Sequence, residues 1–200
     1  MPFTLAILAV TLSYTWFLAP RLPSDAEAVP IAIIIALALW HDVRVRKWGF
    51  DWRALLPGLG AAALFTIPLC GILVAAGAAS GTLHDRGDFP GALAVLVLWG
   101  GAQQWILQTV ILPEAQRAAG RRGGVAVAAL LFASVHLPNP MLSTLTLVGA
   151  LGWCTIYDRY PNLVPLALSH ALGTLAVLYA FDDRMTGGLR VGLAFLARRP

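Results

Sequence analysis

Gly100 to Arg117 reads GGAQQWILQTVILPEAQR, lying between two long apolar runs with Gln103, Gln104 and Gln108 in its middle. Three amides at such a place need a reason, because everything around them suits lipid. Of the 200 residues, 58% are hydrophobic and 12% charged, and the mean hydropathy is +0.75. Soluble domains carry about 25% charged residues. Composition therefore places the chain among integral membrane proteins.

Outward from this stretch the apolar runs are Phe3 to Ala19, Val29 to Trp40, Ala54 to Ala79, Phe89 to Leu112, Gly123 to Leu137, Pro140 to Tyr157 and Asn162 to Phe181. A helix needs about 20 residues to cross the hydrocarbon core, so the second and fifth look short. An eighth run, Gly187 to Ala197, is too short to cross unaided and suits the interface, with Arg190 at the headgroups. The first run lacks a basic n-region and a clear cleavage site, so it reads as a span rather than a signal peptide. Connectors are short, and Pro20, Pro23, Pro113 and Pro161 stand at run ends where helices stop. The expectation is an all-α fold: a polytopic transmembrane bundle of about seven to eight helices forming one membrane domain over 1–200.

Charge sets the orientation. Arg44, Arg46, Lys47 and Arg53, then Arg117, Arg121 and Arg122, then Arg159 fall in alternate connectors; the opposite side has Arg21 and Arg86. That bias puts the N-terminus in the cytoplasm. The tail, with Arg184, Arg190, Arg198 and Arg199, fits only if an eighth segment is partly buried. The net charge of +4 and pI near 9.6 do not indicate nucleic acid, since the basic residues are scattered over connectors. Cys70 and Cys154 sit inside apolar runs and match no zinc spacing or disulfide framework, so they read as small core residues.

Polar side chains inside a span are expensive and face the bundle interior or a wet cavity. Those at depth are Gln103, Gln104 and Gln108 on the fourth run, His136 on the fifth, and Ser169, His170 and Thr174 on the seventh. Gln104 and Gln108 share one helix face, as do His170 and Thr174. Counting from the cytoplasmic ends, Gln103 lies about 13 Å in, His170 about 12 Å and His136 about 20 Å. His136 then needs tilt or irregular backbone at Leu137, Pro138, Asn139 and Pro140. For Gln108 and Ser169 the simpler reading is hydrogen bonding between helices for packing.

Read in order, these stretches resemble the CAAX-protease and bacteriocin-processing (CPBP or ABI) family of glutamic intramembrane proteases. Its motifs are EExxxR, FxxxH and HxxxN or HxxxD; here they are Gln103-Gln104-Trp-Ile-Leu-Gln108, Phe132-Ala-Ser-Val-His136 and His170-Ala-Leu-Gly-Thr174. The resemblance spans about 93–177. It implies an intramembrane endopeptidase without cofactor, acting on a membrane-anchored peptide or a prenylated-type protein, in a bacterial inner membrane. The implied site is Gln103, Gln104, His136, His170 and Thr174, with Gln108 and Phe132 in support.

The chain departs from the pattern where the chemistry is. Both glutamates and the arginine of the first motif are glutamines, and Thr174 replaces the last Asn or Asp. An amide cannot take up a proton as a carboxylate does. Either His136 alone acts as base, with Gln103 orienting water and His170 holding the oxyanion, or a carboxylate comes from Glu114, Asp158, Asp182 or Asp183. Glu114 falls at the interface beyond Pro113, with Arg117 as its expected i,i+3 partner. A zinc site on His136 and His170 has no HExxH and no nearby Cys or carboxylate behind it. A Ser169-His170 dyad is weaker, since adjacent helical residues point about 100° apart. The rival class is a catalytically silent relative that binds a membrane peptide or lipid chain as a chaperone or immunity factor. A transporter would show an inverted repeat, which is not visible. Oligomeric state stays open.

Overall fold

The computed structural model describes residues 1–19, 21–46 and 48–197. Pro20, Lys47, Arg198 and Arg199 lie outside the described residues. The fold is all-α, with no strand among the described residues. Its helices are α1 (Pro2–Ser13), α2 (Ala28–Val45), α3 (Leu55–Ser80), α4 (Phe89–Trp105), α5 (Leu112–Ser134), α6 (Pro140–Arg159), α7 (Leu163–Ala180) and the short α8 (Asp183–Thr186) and α9 (Gly192–Leu196).

Five helical segments are long and apolar enough to cross a membrane: Ala28–Val45, Trp52–Ser80, Phe89–Ser134, Pro140–Arg159 and Leu163–Ala180. A shorter apolar one covers Pro2–Leu18. Large apolar side chains stand outward along them, including Leu56, Leu64, Ile67 and Ile72 on α3 and Val95 and Leu98 on α4. Water would not tolerate so much exposed apolar surface, but lipid does. The chain is an integral membrane protein.

Phe89–Ser134 is not straight. A π-helical turn at Ile106–Ile111 leads into α5, and inside α5 Gly120 leaves helical geometry at φ 74°, ψ 172°. Only glycine takes that φ without strain. Gly124 then approaches the backbone of Gln116 so closely that a Cβ would collide with it. Residues 112–119 and 121–134 therefore form a hairpin; its second arm answers to the fifth run, and its first is the connector expected beyond Leu112. Pro113 was expected to stop the helix, yet the helix continues to Ala119. The π turn resets the hydrogen-bond register, and Pro113 falls in the first turn of α5, where its missing N–H is not needed. The second run also proves longer, because α2 runs through His41 and Asp42 to Val45, about 27 Å in all. Both side chains are buried, with His41 Nδ1 3.0 Å from Asp42 Oδ1. Of Gly187 to Ala197 only α9 is α-helical, too short to cross.

By contacts the chain packs as two compact units: one of Met1–Trp48, Thr109–Leu151 and the described part of Leu189–Pro200, the other of Gly49–Gln108 and Gly152–Gly188. In the first unit α1 packs on α2, and α9 on the π turn at Tyr14–Leu18. Glu114, 2% exposed, has its partners at the start of α1 and not in the expected Arg117. It accepts hydrogen bonds from the backbone N–H groups of Thr4 (2.9 Å) and Phe3 (3.4 Å). The first turn of a helix has unpaired amides and a positive dipole end, which a buried carboxylate satisfies.

In the second unit α7 lies against both α3 and α4. Asn162 starts it by accepting from Val164 N at 3.0 Å, and donates to Asp51 O at 2.9 Å. Two glycines bring backbones close: a Cβ on Gly77 of α3 would strike the Ala180 carbonyl of α7, and one on Gly100 of α4 would lie 3.1 Å from His170 Cγ. This second approach seats the polar residues of α7.

Candidate functional site

In the second unit α4, the start of the π turn after it, and α7 bring Gln104, Gln108 and His170 together. Gln104 and Gln108 are fully buried and His170 is 8% exposed. Gln108 Nε2 donates to Gln104 Oε1 at 3.0 Å, one helical turn back. Gln104 Nε2 lies 3.2 Å from His170 Nδ1. The imidazole is stacked on the Trp153 indole, ring centroids 4.6 Å apart at 14°. With Gly100 close by, the ring has little freedom. Thr174 Oγ1 donates to the His170 carbonyl at 3.0 Å, the usual bond of a helical threonine to the residue four before it.

Ser169 turns to packing, as its simpler reading holds. Its Oγ accepts the Trp153 indole N–H at 2.8 Å and lies 2.5 Å from Thr66 Oγ1 on α3. An indole N–H inside a span needs such a partner. The carbonyl oxygens of Gln103 and Gln108 are buried and accept no hydrogen bond from the described residues.

In the first unit His136 follows α5 in a four-residue turn that includes the cis Leu137–Pro138 peptide. The irregular backbone expected there is present. Asn139 caps the start of α6, accepting from Leu142 N at 3.1 Å. His136 is half-buried, its ring edge-on to Phe132 at 5.1 Å, and its Nδ1 lies 2.8 Å from the Phe132 carbonyl oxygen. A carbonyl only accepts, so Nδ1 carries the proton and Nε2 the lone pair. The FxxxH spacing thus serves the ring twice, through the phenyl and through the carbonyl one turn back.

Three of the acidic side chains considered as bases have other engagements. Glu114 holds the start of α1, Asp182 caps α8 by accepting from Met185 N at 2.9 Å, and Asp183 pairs with Arg86 at 2.7 Å. Asp158 is half-buried near the end of α6. Among the described residues no three His, Cys, Asp or Glu side chains are grouped so as to hold a metal ion. Trp153, Gly100 and Thr66 were not anticipated. Trp153 alone left a signal, an indole in an otherwise apolar run.

Comparisons with curated proteins and with solved structures give no match. A family model does match, described as Type II CAAX prenyl endopeptidase Rce1-like, over residues 85–176. That segment contains all three polar motifs, and over it the chain is similar to the CAAX prenyl endopeptidases, as a CAAX-protease-like membrane protein.

Proposed function

We propose that the protein is an intramembrane endopeptidase that hydrolyses a peptide bond of a membrane-associated protein, with His136 as general base. The observation behind this is the bond from His136 Nδ1–H to the Phe132 carbonyl, which leaves Nε2 as a proton acceptor in a ring held by the last turn of α5. In this reading Gln103 orients a water through its buried carbonyl oxygen. The water oxygen attacks the peptide carbonyl carbon while its proton passes to His136 Nε2. The carbonyl oxygen, now negative, accepts a hydrogen bond from His170. The tetrahedral intermediate collapses, the C–N bond breaks, and the leaving amine takes the proton from His136, yielding a carboxylic acid and an amine. The proposed setting is a bacterial inner membrane.

The test is cleavage of membrane-anchored peptides, some prenylated, by purified protein in proteoliposomes. His136→Ala and His170→Ala should each reduce the rate by about 10²-fold or more. A wild-type rate in either variant overturns the assignment. A second reading, a silent relative that binds such a peptide, is favoured by the other engagements of Glu114, Asp182 and Asp183. Saturable peptide binding without cleavage by the wild type would establish it.

A further inference from the structure

The two site histidines are held by partners of opposite character. His136 Nδ1 faces a carbonyl oxygen, which only accepts. His170 Nδ1 faces the side-chain nitrogen of Gln104, which only donates. On its far side Gln104 Oε1 accepts from Gln108 Nε2 at 3.0 Å, and its NH₂ group is turned to the ring. All three side chains are buried, where a polar contact is stronger than it would be in water.

We infer that Gln104, oriented by Gln108, is a positioning residue that fixes His170 in the neutral tautomer with its proton on Nε2. His170 is then a hydrogen-bond donor at Nε2 and cannot serve there as a base. Stacking on Trp153 and the closeness of Gly100 hold the ring plane, so that N–H has a set direction. His136 presents the complementary form, a lone pair on Nε2. Each unit thus holds one imidazole in a set form without a carboxylate. A glutamate at position 104 would reverse the assignment, because a carboxylate accepts and would draw the proton to Nδ1. It would create an acceptor at His170 Nε2 where the wild type has a donor. The inference rests on the proposed function only for the use of the donor, not for the tautomer itself.

The experiment is nitrogen-15 NMR of the full chain in lipid, labelled at histidine, with the His170 signals identified by their loss in His170→Asn. Wild type should show Nε2 protonated and Nδ1 bearing the lone pair at His170, and the reverse at His136. Gln104→Glu should move the His170 proton to Nδ1, and Gln104→Met, similar in size but without the amide, should abolish the fixed preference and leave His136 unchanged. A proton on His170 Nδ1 in the wild type overturns the inference, whether or not the variants fold. So does an unchanged His170 tautomer in Gln104→Glu or Gln104→Met. Failure of hydrolysis with the expected spectra would remove the enzymatic reading and leave the tautomer assignment standing.

Discussion

Glutamine and glutamate fill nearly the same space, so the difference at positions 103 and 104 is one of charge and of donor against acceptor. Burying an amide costs far less than burying a carboxylate, and the amide brings a donor with it. Glu114 shows what a buried carboxylate requires in this chain: two backbone N–H groups at the start of α1. Glu114→Ala should leave both amides unsatisfied and weaken the docking of α1 by about 1–3 kcal/mol, while Glu114→Gln, which keeps one acceptor, should lose less. Hydrogen exchange over residues 2–8 is the measurement, and unchanged protection in Glu114→Ala would refute the anchoring role. In the sequence Glu114 looked interfacial, because Pro113 reads as a helix end and Arg117 stands at i+3. Its true partner lies 110 residues away, and no local pattern points there. Gln104, Gln108, His136 and His170 were legible for the opposite reason. A polar side chain within an apolar run is conspicuous without knowledge of its neighbours, whereas Gly100 and Thr66 become part of the site only through the packing of α4 and α3 against α7.

Helix ends were legible where a cap or a turn marks them. Asn162 before α7 and Gly81 after α3 stand within a residue or two of the run boundaries. Boundaries failed where buried polar residues prolong a helix, as His41 and Asp42 do in α2, or where a π turn carries the chain past a proline. Packing between helices in the second unit depends on individual glycines, and they are not equivalent. Gly77→Ala would drive a methyl group into the Ala180 backbone, which cannot turn aside as a side chain would; a loss of about 1–3 kcal/mol is expected. Gly60 and Gly71, on the same helix, have nothing near the position of an added Cβ. There alanine should stabilise by up to about 1 kcal/mol through helix propensity. Thermal unfolding in detergent of the three variants is the check. A Gly77→Ala protein as stable as Gly60→Ala would mean that α3 and α7 do not meet at Ala180.

At the scale of the whole molecule the open matter is which ends of the helices face the cytoplasm, and charge is the determinant the chain offers. The described basic residues of the three favoured connectors are exposed: Arg44 and Arg46 after α2, Arg53 before α3, Arg117, Arg121 and Arg122 around the Gly120 hairpin, and Arg159 at the end of α6. Aromatic side chains accompany them. Arg44 lies over the Trp40 ring at 4.9 Å and Arg159 over Tyr160 at 5.5 Å, while Trp48 and Trp52 stand outward near Arg53 in sequence. Aromatic residues paired with arginine at helix ends are typical of the headgroup region, and arginine is retained on the cytoplasmic side during insertion. On the charge bias these connectors, together with the N-terminus, are expected in the cytoplasm. Single cysteines at Arg46 and Ala118, introduced where Cys70 and Cys154 have been replaced by alanine, decide the point. In intact cells an impermeant maleimide should leave both unlabelled, and permeabilisation should expose both. A cysteine in the opposite connector, at Asp85, should react without permeabilisation. Labelling of Arg46→Cys or Ala118→Cys from outside would invert the topology, and would show that the charge bias does not govern insertion of this chain.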